Sequence, residues 1–114
     1  MKNNDSLDTL CTVMPSVTPV CFGTIAVYNG NYDSYMHKFG PESAEVLAEL
    51  RANVRSFGMF CELIEENWKH HNRLVGFAMD HGCHEIDGAC GSHGLDMDED
   101  LNITHLYKAV KGVR

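Results

Sequence analysis

The residues of this chain best suited to chemistry fall in three short clusters. Asp33-Ser-Tyr-Met-His37 sets a carboxylate and an imidazole four residues apart, Asp80-His81-Gly82-Cys83-His84-Glu85 sets them side by side, and Gly91-Ser92-His93-Gly94 adds a glycine-flanked histidine. Carboxylate oxygen with imidazole nitrogen suits zinc, manganese or iron better than calcium or magnesium. On a helix the Asp33–His37 spacing puts both side chains on one face; in a loop it can wrap a single ion. Together the clusters offer two carboxylates, Asp33 and Asp80, and three imidazoles, His37, His81 and His93. Two divalent metal ions, zinc foremost, sharing those ligands would clamp the attacking and leaving oxygens of a phosphoryl transfer. Cys83 and Cys90 flank the histidines and give an alternative Cys/His zinc site. The plainest alternative is a polar loop with incidental histidines. His84, Glu85 and Asp87 read as groups that orient ligand histidines or as solvated loop residues.

These clusters must be positioned by the elements around them. The apolar run at residues 25–29 ends at Gly30 and reads as a buried strand, with a loop over residues 31–41. Residues 42–68 read as an amphipathic helix, because Leu47, Leu50, Val54, Phe57, Cys61, Ile64 and Trp68 recur at steps of three and four. Pro41 suits its first turn, and Glu42 and Glu45 complement its positive end. Lys69, His70 and His71 suit the other end, so those histidines read as caps. Residues 74–79 form a second strand, and residues 103–113 a short strand or helix. Strand, helix, strand predicts an α/β fold with a parallel βαβ core and one long helix. Both ligand clusters would then follow strand carboxyl ends at one sheet edge, where such folds place their sites.

Composition narrows the function classes. With 114 residues, the chain reads as one domain over residues 1–114, residues 1–9 frayed. A net charge of −7 argues against nucleic acid as the main partner, though bound cations can reverse the sign locally. No run approaches the ~20 apolar residues of a membrane span. The polar start is unlike a signal peptide, so a cytoplasmic location is the default. Five cysteines without a CxxC pair then read as reduced thiols.

Asp33-Ser-Tyr-Met-His37-Lys-Phe-Gly40-Pro41 resembles the Asp-x-x-x-His-x-x-Gly-Pro motif of nucleotide pyrophosphatase/phosphodiesterases, members of the alkaline phosphatase superfamily. Asp80-His81-Gly82 resembles the superfamily's Asp-His-Gly metal motif, and Gly91-Ser92-His93-Gly94 its final histidine ligand. Pro15-Ser-Val-Thr18-Pro19-Val-Cys21-Phe22 resembles its nucleophile segment. The resemblance implies a partial alkaline phosphatase-like fold that hydrolyses small phosphate or sulfate esters with two divalent metal ions. Asp33, His37 and His93 would hold one ion, Asp80 and His81 the second. Thr18 would be the nucleophile and form a covalent phospho-enzyme. Cys21 stands about where phosphodiesterases place an asparagine, and its thiol is a weak donor to a phosphoryl oxygen.

The chain departs from that pattern in two places. Only Asp5 and Asp8 precede Thr18, with no apolar strand before either, and only residues 19–32 separate Thr18 from Asp33. A truncated or internally shortened member with reduced activity is therefore expected. The strand edges it exposes would favour a homo-oligomer. Two alternatives belong to other classes: a non-catalytic metal-binding domain, and a helix-mediated oligomerisation module built on the Leu47–Trp68 stripe.

Overall fold

A computed structural model of the chain describes residues 24–114. The expected nucleophile Thr18, its neighbour Cys21 and the start at residues 1–9 lie outside the described residues. The elements in chain order are α1 (Asn31–Phe39), α2 (Ala44–Trp68), β1 (Arg73–Ala78), β2 (His84–Ile86), β3 (Cys90–Ser92), α3 (Asp98–Leu101) and β4 (His105–Val110). They form a small mixed α/β domain with two antiparallel sheets, β1–β4 and β2–β3, each of two strands.

The long helix forms nearly where its apolar period placed it. It begins after Ser43, whose hydroxyl accepts the Val46 N–H at 3.3 Å, and carries Glu45 in its first turn. Pro41 and Glu42, expected inside the helix, precede that cap. At the far end the Arg73 guanidinium donates to the carbonyls of Trp68, Lys69 and His71 and pairs with Glu65. Arg73 therefore adds a donor at the helix end, where the Trp68 carbonyl also accepts the His71 N–H and the Lys69 carbonyl the Val113 N–H. Ile64 is the buried centre of the stripe, packed against Ile25, Phe60, Leu63, Trp68 and Val75. Leu47 and Val54, on the same stripe, are exposed.

The parallel βαβ core does not form. Residues 25–29 are not a strand, and β1 pairs antiparallel with β4, in register from Arg73↔Val110 to Ala78↔His105. The reason is packing. Ile25 alone of the run packs against α2, partly buried beside Ile64, while Ala26, Val27 and Tyr28 stay exposed, and the tail His-Leu-Tyr-Lys-Ala-Val supplies the ladder that β1 needs. A short apolar run does not by itself make a buried strand. No described helix is long and apolar enough to cross a membrane.

Candidate metal centre

Asp33 and His37 lie on a helix rather than in a loop. The Asn29 side chain accepts the Asn31 N–H at 2.9 Å at the start of α1, Asp33 sits in its first turn, and His37 and Lys38 sit in its last. Those charges complement the helix dipole. Gly40 ends the helix at φ +82°, its N–H donating to the Met36 carbonyl at 2.9 Å. The spacing of four then places Asp33 and His37 on one face.

That face meets β3 at Gly91. A Cβ at Gly91 would lie 2.6 Å from the Met36 carbonyl oxygen and 3.1 Å from Met36 Cγ, so only glycine lets the strand backbone rest on α1. Met36 is fully buried in this contact. His37 Nδ1–H donates to the Gly91 carbonyl at 3.0 Å, and two residues on stands His93. The β2–β3 hairpin, with His84 opposite Ser92, brings the segment before β2 alongside the segment after β3. His81 consequently stacks on His93, ring centroids 3.7 Å apart and planes 25° off parallel.

The outcome is a converging set of ligand atoms. Asp33 Oδ1 lies 3.4 Å from His37 Nε2, 3.3 Å from His93 Nε2 and 3.8 Å from His81 Nε2. His37 Nε2 and His93 Nε2 are 3.2 Å apart. Zinc ligands at ~2.0–2.1 Å in tetrahedral array stand about 3.3–3.4 Å from one another, a spacing that the Asp33, His37 and His93 atoms match. Among the described residues, Asp33, His81 and His93 likewise bring one potential ligand atom each within 4.8 Å of one another.

Hydrogen bonding prepares these atoms to coordinate. His37 commits its Nδ1 proton to Gly91, and His81 Nδ1–H donates to the Gly82 carbonyl at 2.8 Å. Each Nε2 is thereby left as a bare lone pair, the tautomer a metal requires. Asp33 Oδ1 is buried among them without a hydrogen-bond partner. An imidazole that carries its Nε2 proton makes these contacts hydrogen bonds or ion pairs, and imidazoles without it can turn the same atoms on a cation at their centre.

The other expected residues separate into near and far. Asp80 stands at the rim, two-thirds exposed, with Oδ1 3.8 Å from His81 Nε2. Neither thiol of the alternative Cys/His site enters the cluster. Cys83 Sγ contacts the Tyr32 hydroxyl at 4.0 Å, and Cys90 Sγ faces the Lys38 and Gly88 carbonyls. Burial raises the Tyr32 pKa to about 12, with the Cys83 charge and hydrogen bond adding to it. Burial also pushes the Cys83 thiol up, against the Tyr32 hydrogen bond, with Asp100 and Asp33 reinforcing the rise.

Sequence reasoning missed Asp100. It is buried, and its Oδ1 accepts from His84 Nδ1 and its Oδ2 from the Leu95 N–H, both at 2.8 Å. Burial opposes its charge, but the His84 and Leu95 hydrogen bonds outweigh burial and hold the carboxyl below its ordinary range. The sequence signal, an acidic run Asp96-Met-Asp-Glu-Asp100, is that of a solvated turn.

No protein-family model matches the chain, and no curated protein and no solved structure matches it.

Proposed function

We propose that the chain is a metal-dependent hydrolase of phosphoric esters whose centre is built on Asp33, His37, His81 and His93, with Asp80 at its rim. The observation that carries this reading is the buried, unpartnered Asp33 Oδ1 at the meeting point of the three imidazole nitrogens. Zinc suits the donor set, with manganese or iron as substitutes. The motif resemblance apportions the ligands over two ions, Asp33, His37 and His93 on the first, Asp80 and His81 on the second. The near-regular triangle of the first three supports the first of these. A divalent ion there supplies positive charge and Lewis acidity against the oxygens of a phosphoric ester. His37 and His81 are held in one orientation by their carbonyl partners, so the site is preorganised. The ligand imidazoles are about a third to a half exposed, which leaves the centre open to a small ester from solvent. Thr18 would provide the nucleophilic hydroxyl.

One observation favours a second reading. If His81 joined Asp33, His37 and His93 on a single ion, four protein ligands would close the coordination shell, as structural zinc sites do. The chain would then be a non-catalytic metal-binding domain. Zinc-loaded protein assayed with an aryl phosphate and a bis-aryl phosphate separates the two. Turnover that is abolished by Thr18→Ala, with zinc binding retained, supports the hydrolase. Stoichiometric zinc without turnover of either ester overturns it in favour of the closed site.

A further inference from the structure

We infer that Asp100 is a positioning residue for the metal centre, a buried residue whose main-chain carbonyl and side chain together fix the two segments carrying His81 and His93 relative to each other. The inference rests on the proposed metal centre and adds a residue that none of the ligand motifs contains.

The bonds of Asp100 fall on both sides of the site. Its main-chain carbonyl accepts the Gly82 N–H at 2.8 Å, one residue after His81. The Cys83 N–H is held by the neighbouring Glu99 carbonyl at 3.1 Å. Its side-chain Oδ1 accepts from His84, at the start of β2. Its side-chain Oδ2 accepts the backbone N–H of Leu95, two residues after His93, at 2.8 Å. Thus each histidine is followed within two residues by backbone tied to Asp100. The contact at Gly82 is so close that a Cβ there would meet the Glu99 carbonyl carbon at 2.9 Å, so the loop has no room to be displaced inward.

Geometry explains why this matters for coordination. His81 and His93 lie on segments that the short β2–β3 hairpin alone pairs, through three residue pairs. A hairpin that small is marginal by itself and does not fix its flanking residues. Asp100 is the one buried charged residue among those described, and His84 on one oxygen and the Leu95 N–H on the other satisfy it. A buried, fully bonded carboxylate resists displacement, because breaking one partner leaves the rest unpaired. The stacked rings of His81 and His93 thereby keep their spacing.

The test compares the full chain with Asp100→Asn and Asp100→Glu in zinc binding and in the visible spectrum of the cobalt(II)-loaded protein. Asp100→Asn keeps shape and still accepts from Leu95, but replaces the acceptor for His84. Removal of a group that orients metal ligands typically costs ~10–100-fold in affinity, which is the expected loss here, with a changed cobalt spectrum in the folded fraction. A merely structural role would lower the melting temperature and leave the spectrum and zinc affinity of the folded protein unchanged; that result overturns the inference and leaves the metal centre standing. If the variants do not fold, amide exchange on the unaltered chain decides. Zinc should slow exchange at Gly82 and Leu95 while leaving Val113, bonded to the Lys69 carbonyl, unchanged. No added protection at those two amides overturns the inference. Failure of the unaltered chain to bind zinc overturns the metal centre itself and this inference with it.

Discussion

Gly91→Ala is the substitution that most sharply tests how α1 and β3 build the centre. The added methyl would lie 2.6 Å from the Met36 carbonyl oxygen and 3.1 Å from Met36 Cγ, far inside van der Waals contact. Met36 is fully buried and cannot move aside cheaply. Overpacking of this kind costs about 1–3 kcal/mol, which in a domain this small corresponds to roughly 5–20 °C in melting temperature. The relief available is separation of β3 from α1, which carries His93 away from Asp33 and His37 and stretches ligand spacings that now measure 3.3 and 3.2 Å. Zinc affinity should therefore fall at least tenfold. Zinc at a hundred times the wild-type dissociation constant stabilises the native protein by ~2.7 kcal/mol, and a tenfold weaker site reduces that to ~1.4 kcal/mol. Thermal unfolding followed by circular dichroism, in chelator and in that fixed zinc concentration, reads both quantities. A variant that melts with the wild type in chelator and gains the same zinc shift would refute the close-packed junction and its link to the site.

Other predictions concern the frame. Gly58→Ala meets nothing within 4 Å in the middle of α2 and should stabilise the protein by about 0.5–1 kcal/mol in urea titration, leaving zinc binding alone. Ser43→Ala removes the acceptor for the Val46 N–H and should cost ~1 kcal/mol by the same measurement. Arg73→Met removes one shared donor from the carbonyls of Trp68, Lys69 and His71, of which Trp68 keeps the His71 N–H and Lys69 the Val113 N–H, and should cost ~0.5–1.5 kcal/mol, whereas Glu65→Gln, removing only the charge of an exposed partner, should cost under ~1 kcal/mol. Because the Asp100 carboxyl is held below its ordinary range, it favours folding at neutral pH. That contribution is lost as the pH falls from about 4 through the lowered value, and Asp100→Asn should flatten this part of the stability–pH curve.

What could be read from the sequence divides along physical lines. The long helix was legible because a period of three and four over residues 47–68 has one structural solution. The candidate residues were legible from their chemistry and spacing, and Asp33, His37, His81 and His93 do lie side by side. Their framework was not. Residues 25–29 have the apolarity of a strand, yet which surface covers Ile25 is decided by α2, far along the chain. Asn31–Phe39 is short and polar, and its helical signals were small ones: Asp33 in the first turn, Lys38 in the last and Gly40 just beyond. Read as a loop, it hid the close packing of Met36 on Gly91 that delivers His37 to His93. Asp100 was illegible for the opposite reason, since nothing in an acidic run distinguishes the one buried member from its solvated neighbours.

The central claim is that Asp33 and the imidazoles around it hold a metal ion, and elemental analysis tests it most directly. The full chain, purified without added metal, is compared by inductively coupled plasma mass spectrometry with a variant carrying Asp33→Ala and His93→Ala, both checked for folding by circular dichroism. The account predicts at least about one equivalent of zinc, manganese or iron in the unaltered chain and its loss from the folded variant. A folded chain without bound transition metal, or equal metal in both proteins, would contradict it.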